Sequence, residues 1–264
     1  QDSIDGGRGS DTISYATHTK GMSIILSEDA EGEFSDNSYY TNGIMADSDT
    51  DTLISIENAQ GSVYADEIFG NSEMNKLYGL SGDDRLFAGA ENDSIWGGAD
   101  NDILHGEAGD DHLYGDEGHD ILLGGDGNDI LNGGDGGDEM FGEKGNDTFK
   151  ASPGNDTIQD FYWGKDTLKD STGYVWDAGS ITTNSATHSA TINVLDKTLG
   201  TVVGTTTVIF KDVDNFNAFL EEINDNPNSG FPPIGASDPK TTLEYLGSDK
   251  DFKALGGKED NLIT

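Results

Sequence analysis

The sequence of 264 residues has no cysteine, only 5 prolines and only 14 basic residues. The missing cysteines exclude disulfides and thiolate metal sites as sources of stability. The 51 acidic residues bring the formal charge to −37 at pH 7, which argues against nucleic acid or an anionic membrane surface as a partner. No apolar run approaches the roughly 18 residues of a membrane span, and the residues after Gln1 lack the pattern of a signal peptide.

The stretch from Gly61 to Gln159 repeats one nine-residue pattern eleven times without an insertion or deletion. Its clearest copies are GGDGNDILN (residues 124–132) and GGADNDILH (residues 97–105). The pattern is glycine, often glycine, any residue, usually glycine, any residue, aspartate, any residue, a large apolar residue, any residue. A fixed period of this length indicates a solenoid of stacked repeats.

The eighth position of the repeat is large and apolar in all eleven copies. One apolar residue in nine is too sparse for a helix face or for a strand buried on both sides. It fits a very short strand that sends one side chain inward, followed by a six-residue turn in which glycines adopt positive φ. Two such units would form one coil, so that every second unit stacks and two facing sheets share a thin core.

The sixth position is aspartate in ten of the eleven copies, and Asn75 is the exception. An outlying copy, GGRGSDTIS (residues 6–14), puts Asp11 at the same position. Stacking would superimpose these carboxylates about 4.8 Å apart, so a cation has to lie between them. Carboxylates and turn carbonyls form an all-oxygen ligand set, which selects Ca²⁺ over zinc or copper. The predicted metal ligands are Asp11, Asp66, Asp84, Asp93, Asp102, Asp111, Asp120, Asp129, Asp138, Asp147 and Asp156.

The repeat resembles the calcium-binding nonapeptide of the RTX (repeats-in-toxin) family. The resemblance covers 99 residues in register and the outlying copy. It implies an all-β fold, a parallel β-roll in which sixth-position aspartates and backbone carbonyls hold several calcium ions between stacked turns. It also implies type I secretion to the extracellular medium or the bacterial cell surface. The composition alone is also typical of a disordered tract, the state expected of the calcium-free chain.

Four parts are predicted along the chain. They are a partial repeat with an N-terminal capping insert (1–60), the β-roll (61–159), a β-rich C-terminal cap with one short helix (160–226), and a linker or strap with a degenerate tail repeat (227–264). The sequence begins inside a repeat, which predicts that it is an excerpt of a longer polypeptide.

The segments flanking the roll also resemble sequences found in secreted RTX proteins. SDTISYATHTKGMSIILS (residues 10–27) and DTLISIENAQGSVYADEIFGN (residues 51–71) are similar to a module that often precedes the roll; a ligand loop at Glu28–Tyr40 is the alternative to a cap. DFYWGKDTLKD (residues 160–170) is similar to the sequence that closes the roll. The predicted elements are strands at Ile13–Tyr15, Met22–Leu26, Leu53–Ile56, Tyr174–Trp176, Thr187–Leu195 and Thr201–Phe210, a helix at Asp214–Asn224 with Asp214 as N-cap, a linker at Asn226–Pro239, and a tail repeat with Asn261 at the aspartate position.

The copies of the repeat are not equally regular. Tyr64 and Glu73 replace the fourth-position glycine in the first two copies, which predicts weak calcium binding at that end. Glu91 and Asp100 stand at the same position, which predicts irregular turns there. All copies from residue 106 to residue 156 have both the glycine and the aspartate, so the tightest sites are expected there.

The sequence shows no motif of a catalytic site: no HExxH, no GxSxG, no cysteine nucleophile and no phosphate-binding loop. His105, His112 and His119 fall at different positions of the repeat, which predicts separate, solvated side chains. Acid pairs such as Asp83 with Asp84 predict one ligand and one surface charge. The chain itself is therefore predicted not to be an enzyme.

Three functions are compatible with this pattern. The first is a calcium-folded structural module of a large secreted adhesin or surface-layer protein, whose partners are calcium ions and the rest of that polypeptide. The second is the C-terminal region of a secreted protease, lipase or polysaccharide epimerase with its catalytic domain elsewhere. The third is an adhesin domain that binds a carbohydrate or protein ligand through calcium.

Overall fold

The computed structural model describes residues 3–26, 52–225 and 251–253. Within these ranges the regular structure is β-strand apart from one helix, α1 (Val213–Asp225). The predicted ligand loop, the linker and the tail repeat with Asn261 lie outside the described residues. The strands are β1 (Ser3–Asp5), β2 (Thr12–Ser14), β3 (Ser23–Ile25), β4 (Thr52–Ile54), β5 (Asn58–Gln60), β6 (Glu67–Phe69), β7 (Lys76–Ser81), β8 (Arg85–Ala90), β9 (Ser94–Ala99), β10 (Ile103–Ala108), β11 (His112–Gly118), β12 (Ile121–Asp126), β13 (Ile130–Gly136), β14 (Glu139–Lys144), β15 (Thr148–Lys150), β16 (Gly154–Phe161), β17 (Thr167–Lys169), β18 (Tyr174–Asn184), β19 (Ser189–Asp196), β20 (Val202–Phe210) and β21 (Asp251–Lys253).

Two parallel sheets run the length of the repeat array. Leu77 of β7 is in register with Ile95 of β9, an offset of 18 residues or two repeats, and β8 pairs with β10 at the same offset. Consecutive repeats therefore alternate between the sheets, and two repeats complete one coil. This confirms the predicted parallel β-roll. One sheet contains β2, β5, β7, β9, β11, β13, β15 and β17, and the other contains β3, β6, β8, β10, β12, β14, β16 and β20.

The core of the roll lies between these sheets, where the eighth-position side chains meet. All eleven are fully buried, at 0 % exposure, which confirms the prediction from the period. Most strands of the array are longer than predicted, because the first-position residue that follows, such as Ala88, also points inward. The inward residues are Ile68, Leu77, Leu86, Ile95, Leu104, Leu113, Leu122, Leu131, Met140, Phe149 and Ile158.

The N-terminal repeat stacks on the same roll. Thr12 of β2 pairs with Asn58 of β5 at an offset of 46 residues, and Ser23 of β3 pairs with Glu67 of β6 at an offset of 44. The stack therefore continues in register from β2 and β3 to β5 and β6, across the long connection between β3 and β4. The strands predicted near these positions are found, shifted by one or two residues at their ends.

The C-terminal end of the roll is covered by a β-meander and the helix. β18, β19 and β20 form an antiparallel sheet, and β20 continues the roll by pairing in parallel with β16. Phe161 packs between Phe149 of the last coils and Phe210, with ring centroids 6.0 and 5.9 Å apart. From α1, Phe216 and Phe219 pack on Phe210, so aromatic side chains close the core.

The predicted N-cap of the helix was wrong by two residues. Oδ1 of Asp212, not of Asp214, accepts the main-chain N–H of Asn215 at 2.8 Å. A carboxylate in this position satisfies one of the free N–H groups of the first turn. Asp212 and Asp214 are separated by one residue in the sequence, and which of them caps the helix depends on where the preceding strand ends.

Candidate cation sites of the stacked turns

The sixth-position carboxylates are bound to the coil that precedes them. Oδ1 of Asp102 accepts the main-chain N–H of Asp84 at 2.8 Å, and Oδ1 of Asp111 accepts that of Asp93 at the same distance. The two columns run along opposite edges of the roll, as the period predicts, and their members are at most 4 % exposed. The first column contains Asp66, Asp84, Asp102, Asp120, Asp138 and Asp156, and the second contains Asn75, Asp93, Asp111, Asp129 and Asp147.

The second carboxylate oxygen has no such partner in the middle of the array. Oδ2 is buried without a hydrogen bond in seven consecutive copies of the repeat, and also in Asp11 of the outlying copy. A buried anionic oxygen without a donor costs several kcal/mol unless a positive charge lies beside it. The seven residues are Asp84, Asp93, Asp102, Asp111, Asp120, Asp129 and Asp138.

Burial dominates the electrostatics of these carboxyl groups. Loss of solvent raises the pKa of Asp102 from 3.8 to about 8, and the neighbouring charge of Asp120 adds to the rise. The pKa of Asp84 is raised to about 9 and that of Asp129 to about 7, again mainly by burial. At neutral pH these groups therefore need a proton or a cation beside them to remain in the fold.

Main-chain carbonyls face the same turns. A Cβ atom placed on Gly115 would lie 2.4 Å from Oδ2 of Asp120 and 2.3 Å from the carbonyl oxygen of Gly133. One placed on Gly118, whose φ is +155°, would lie 1.9 Å from the carbonyl oxygen of Asp100. Glycine is needed at the first position because of this close approach, and not for a positive φ as the repeat had suggested.

The donor set fits calcium. In the described ranges, no three histidine, cysteine or carboxylate side chains converge on one point, so a cation here has to take part of its ligand shell from main-chain carbonyls. Carboxylate and carbonyl oxygens are the ligands that Ca²⁺ prefers. The residues that would hold it are the sixth-position aspartates with an unpartnered Oδ2, together with carbonyls of the glycine-rich turns.

The fifth position forms a second ladder that the sequence reasoning missed. Oδ1 of Asp83 accepts the main-chain N–H of Asn101 at 3.0 Å, and Oδ1 of Asp110 accepts that of Asn128 at 2.7 Å. In each acid pair the first member is thus an acceptor for the next coil and more than a surface charge. The frequent Asn and Asp at this position were the available signal, since such side chains readily accept main-chain hydrogen bonds.

The turns at Glu91 and Asp100 differ locally from the regular ones, as the missing glycine predicts. Both residues have φ in the left-handed region, at 68° and 80°, whereas Gly109 and Gly118 at the same position of the repeat have φ of 148° and 155°. The carbonyls of Glu91 and Asp100 still face Gly109 and Gly118 of the following coil. The register of the stack is therefore retained, at the cost of local strain in these two residues.

Two further carboxylates stand in line with the columns. Asp166 extends the second column, because its Oδ1 accepts the main-chain N–H of Asp147 at 3.1 Å. Glu57 stands in line with Asp11, and its Oε2 accepts the main-chain N–H of Asp11 at 2.8 Å, although 46 residues separate the two in the sequence. The triplet Asp166-Thr167-Leu168 has the same spacing of aspartate and apolar residue as the repeat, so Asp166 could have been predicted from the sequence. The sequence around Glu57 contains no such signal.

The three histidines are not brought together. His105 stacks on Phe87 at 4.6 Å, and burial lowers its pKa. His112 lies edge-on to Tyr114, while the Nδ1 of His119 accepts the main-chain N–H of Gly137 at 3.0 Å. Their separation was predicted correctly, but His105 is half-buried in a ring stack and not simply solvated.

The family model of the RTX calcium-binding nonapeptide repeat matches residues 1–15 and, in overlapping copies, residues 60–159. The repeat array belongs to the RTX family. The RTX match spans the columns of aspartates and the whole roll between β6 and β15. A comparison with curated proteins gives no significant match. In the part of the chain that the structure describes, no helix is long and apolar enough to cross a membrane.

Proposed function

We propose that this chain is a calcium-folded structural module of a large secreted or cell-surface bacterial protein, of the adhesin or surface-layer type. The observation that carries the proposal is the run of seven buried Oδ2 atoms without a hydrogen-bond partner, stacked along two edges of the roll. The RTX match supports calcium as the ion and secretion as the destination.

The charge of the array makes the fold conditional on cations. Residues 61–159 contain 23 acidic and 4 basic side chains, which gives a net charge of −19. The core that these residues surround is thin, because each repeat contributes one large apolar side chain to it. The protein's own bases cannot offset this charge. A bound Ca²⁺ supplies the missing positive charge, contributing about 2.7 kcal/mol per site when its concentration is a hundredfold above Kd. Inside a cell, where free calcium is low, we expect an unfolded chain that can be exported.

The structural role is proposed without catalysis. The buried carboxylates of the sixth position and the fifth-position Asp83 and Asp110 accept main-chain hydrogen bonds of the turns, and the three histidines of the array lie apart from one another. We expect the purified chain to show no protease, esterase or polysaccharide-modifying activity.

The test is a titration of folding, followed by circular dichroism, with calcium and in parallel with magnesium at equal ionic strength. We expect little β signal in chelator, a steep rise with calcium and little response to magnesium, which prefers octahedral sites and keeps its waters. A full β signal in chelator, or a shallow calcium curve, would contradict the proposal. Turnover that follows the polypeptide through purification would contradict the absence of catalysis.

A further inference from the structure

The sixth-position residues at the ends of the roll differ from those in the middle. Oδ2 of Asp156 accepts the hydroxyl of Ser152 at 3.0 Å, and Oδ2 of Asp166 accepts the main-chain N–H of Tyr162 at 2.6 Å. At the other end, Asp66 accepts the N–H and the hydroxyl of Ser62. Protein donors thus occupy the oxygen atoms that are unpartnered in the middle.

Asn75 shows the same replacement with an amide. Its Oδ1 accepts the main-chain N–H of Asn71 at 2.7 Å. Its Nδ2 donates to the carbonyl oxygen of Glu57 at 2.8 Å and to Oδ1 of Asn71 at 2.9 Å. The two N–H groups of the amide therefore bind two oxygens of the turns, which is the task of a cation elsewhere in the column.

One position of the repeat separates the two classes. The donors of the end units, Ser62, Asn71, Ser152 and Tyr162, each stand four residues before the side chain they satisfy. The residues at that position in the seven middle units and in the unit of Asp147 all have positive φ, between 66° and 119°, and none provides a hydroxyl or amide side chain. These residues are Leu80, Gly89, Gly98, Glu107, Asp116, Gly125, Gly134 and Glu143.

We infer that calcium fills the middle units of the repeat array, from Asp84 to Asp138, and that the units around Asp66, Asn75 and Asp156 at the ends of the array are closed by hydrogen bonds in place of the ion. The inference rests on the proposed calcium function and specifies which turns take part in it. The first column also ends at Asp156, because its register partner in β20 is Thr206, which has no carboxylate. The turns of Asp66, Asn75 and Asp156 then stay closed when calcium is scarce.

The test counts calcium ions bound per full chain by equilibrium dialysis with elemental analysis. Asn75→Asp replaces the two amide donors with a second carboxylate oxygen, so we expect one ion more than in the wild type. Asp111→Asn, in the middle of the same column, should lose at least one ion. Asn92→Asp is the matched control, because this exposed side chain keeps its acceptor role toward Asp110, and its count should not change.

A second variant covers the case in which Asn75→Asp fails to fold. Ser152→Ala removes the hydroxyl from Asp156, and we expect an additional ion and a folding midpoint at higher calcium; Ser94→Ala, on the outer face of β9, is its control. A gain in either variant supports the inference. Unchanged counts in both overturn it, while calcium-dependent folding of the wild type would still uphold the proposed function. Folding of the wild type without calcium would contradict both the inference and the proposed function.

Discussion

The main-chain N–H of Asp102 donates to Oδ1 of Asp120 at 2.8 Å, across one complete coil of the roll. Asp120 in turn donates its own N–H to Asp138 at 3.0 Å. We propose that each carboxylate serves two purposes: one oxygen fixes the position of the neighbouring turn, and the other, which is buried without a hydrogen-bond partner, binds a cation. This division makes the effects of substitution separable.

Replacing Asp120 should show both purposes. Asp120→Asn keeps an acceptor for Asp102 but loses the charge, so we expect weaker calcium binding with the turn retained. Asp120→Ala also leaves the buried N–H of Asp102 unpaired, which costs about 1 to 3 kcal/mol more. The calcium concentration at the midpoint of folding measures the loss of binding, and urea unfolding in saturating calcium measures the loss of the hydrogen bond.

Controls for Asp120 lie in the same array. Glu117→Gln changes an exposed acid of the same unit and should leave both measurements nearly unchanged. Asp66→Ala should affect the calcium midpoint much less than Asp120→Ala, because protein donors surround Asp66. Equal midpoints for the Asp66 and Asp120 variants would contradict the difference between end and middle units.

Glycine at position 91 should stabilise the roll. Glu91 has a φ of 68°, a conformation that costs a residue with a Cβ about 1 kcal/mol and glycine almost nothing. We expect Glu91→Gly to raise the free energy of unfolding by about that amount in saturating calcium.

The reverse change at the adjacent turn is the control for Glu91. Gly109→Ala should destabilise strongly, since its Cβ would lie 1.8 Å from the carbonyl oxygen of Glu91. If Glu91→Gly proved neutral or destabilising while Gly109→Ala behaved as expected, the side chain of Glu91 would have to contribute binding energy that outweighs its strain.

The calcium-free chain should respond to pH through its buried carboxyl groups. Burial raises the folded-state pKa of Asp102 to about 8 from an ordinary value of 3.8, so the folded state binds this proton more tightly than the unfolded state. The resulting stability is fully present below pH 3.8 and is lost as pH rises toward 8. We expect more β signal at pH 4.5 than at pH 8 in calcium-depleted buffer.

The same competition predicts the effect of pH on calcium binding. Protons have to leave the carboxylates before the ion binds, so the calcium midpoint of folding should fall as pH rises from 5 to 8. A control titration with saturating calcium at pH 8 should restore the full β signal. A midpoint that does not change over this range would show that these aspartates are ionised throughout.

Three aromatic rings are stacked on the outer face of one sheet, and this stack should contribute to stability. Trp96 lies between Tyr78 and Tyr114, with centroid distances of 4.6 and 5.5 Å and interplanar angles of 6°. We expect Trp96→Ala to cost roughly 0.5 to 1.5 kcal/mol per lost ring pair, in addition to lost burial. Urea unfolding in saturating calcium measures it.

Variants at equivalent positions test whether stacking is the cause. Trp96→Phe keeps a ring between the tyrosines and should recover most of the loss. Asn132→Ala, at the equivalent position of the coil beyond Tyr114, removes a side chain of another kind and should cost less. A full loss in Trp96→Phe would assign the effect to the indole itself and not to the stack.

The repeat alone predicts most of the roll, because its period fixes both the inward residue and the stacking offset. Leu104 and Asp102 illustrate this: one side chain per repeat has to face the core, and the residue two positions earlier has to lie in the turn. Features that depend on one neighbour could not be predicted in this way. Glu57 joins its column by a hydrogen bond to Asp11, 46 residues earlier in the sequence, and the amide of Asn75 satisfies its turn through the carbonyl of Glu57 and the side chain of Asn71.

The offset is 46 residues between β2 and β5 but 18 residues between β7 and β9, so the length of the connecting chain does not set the spacing of the stacked strands. A connection of any length between the same two strand ends satisfies the same register. The connection between β3 and β4 is therefore a natural grafting point for a foreign domain. On a roll that folds with calcium, as we propose, such a fusion would link its passenger to a scaffold that is assembled by adding calcium and dismantled by chelation.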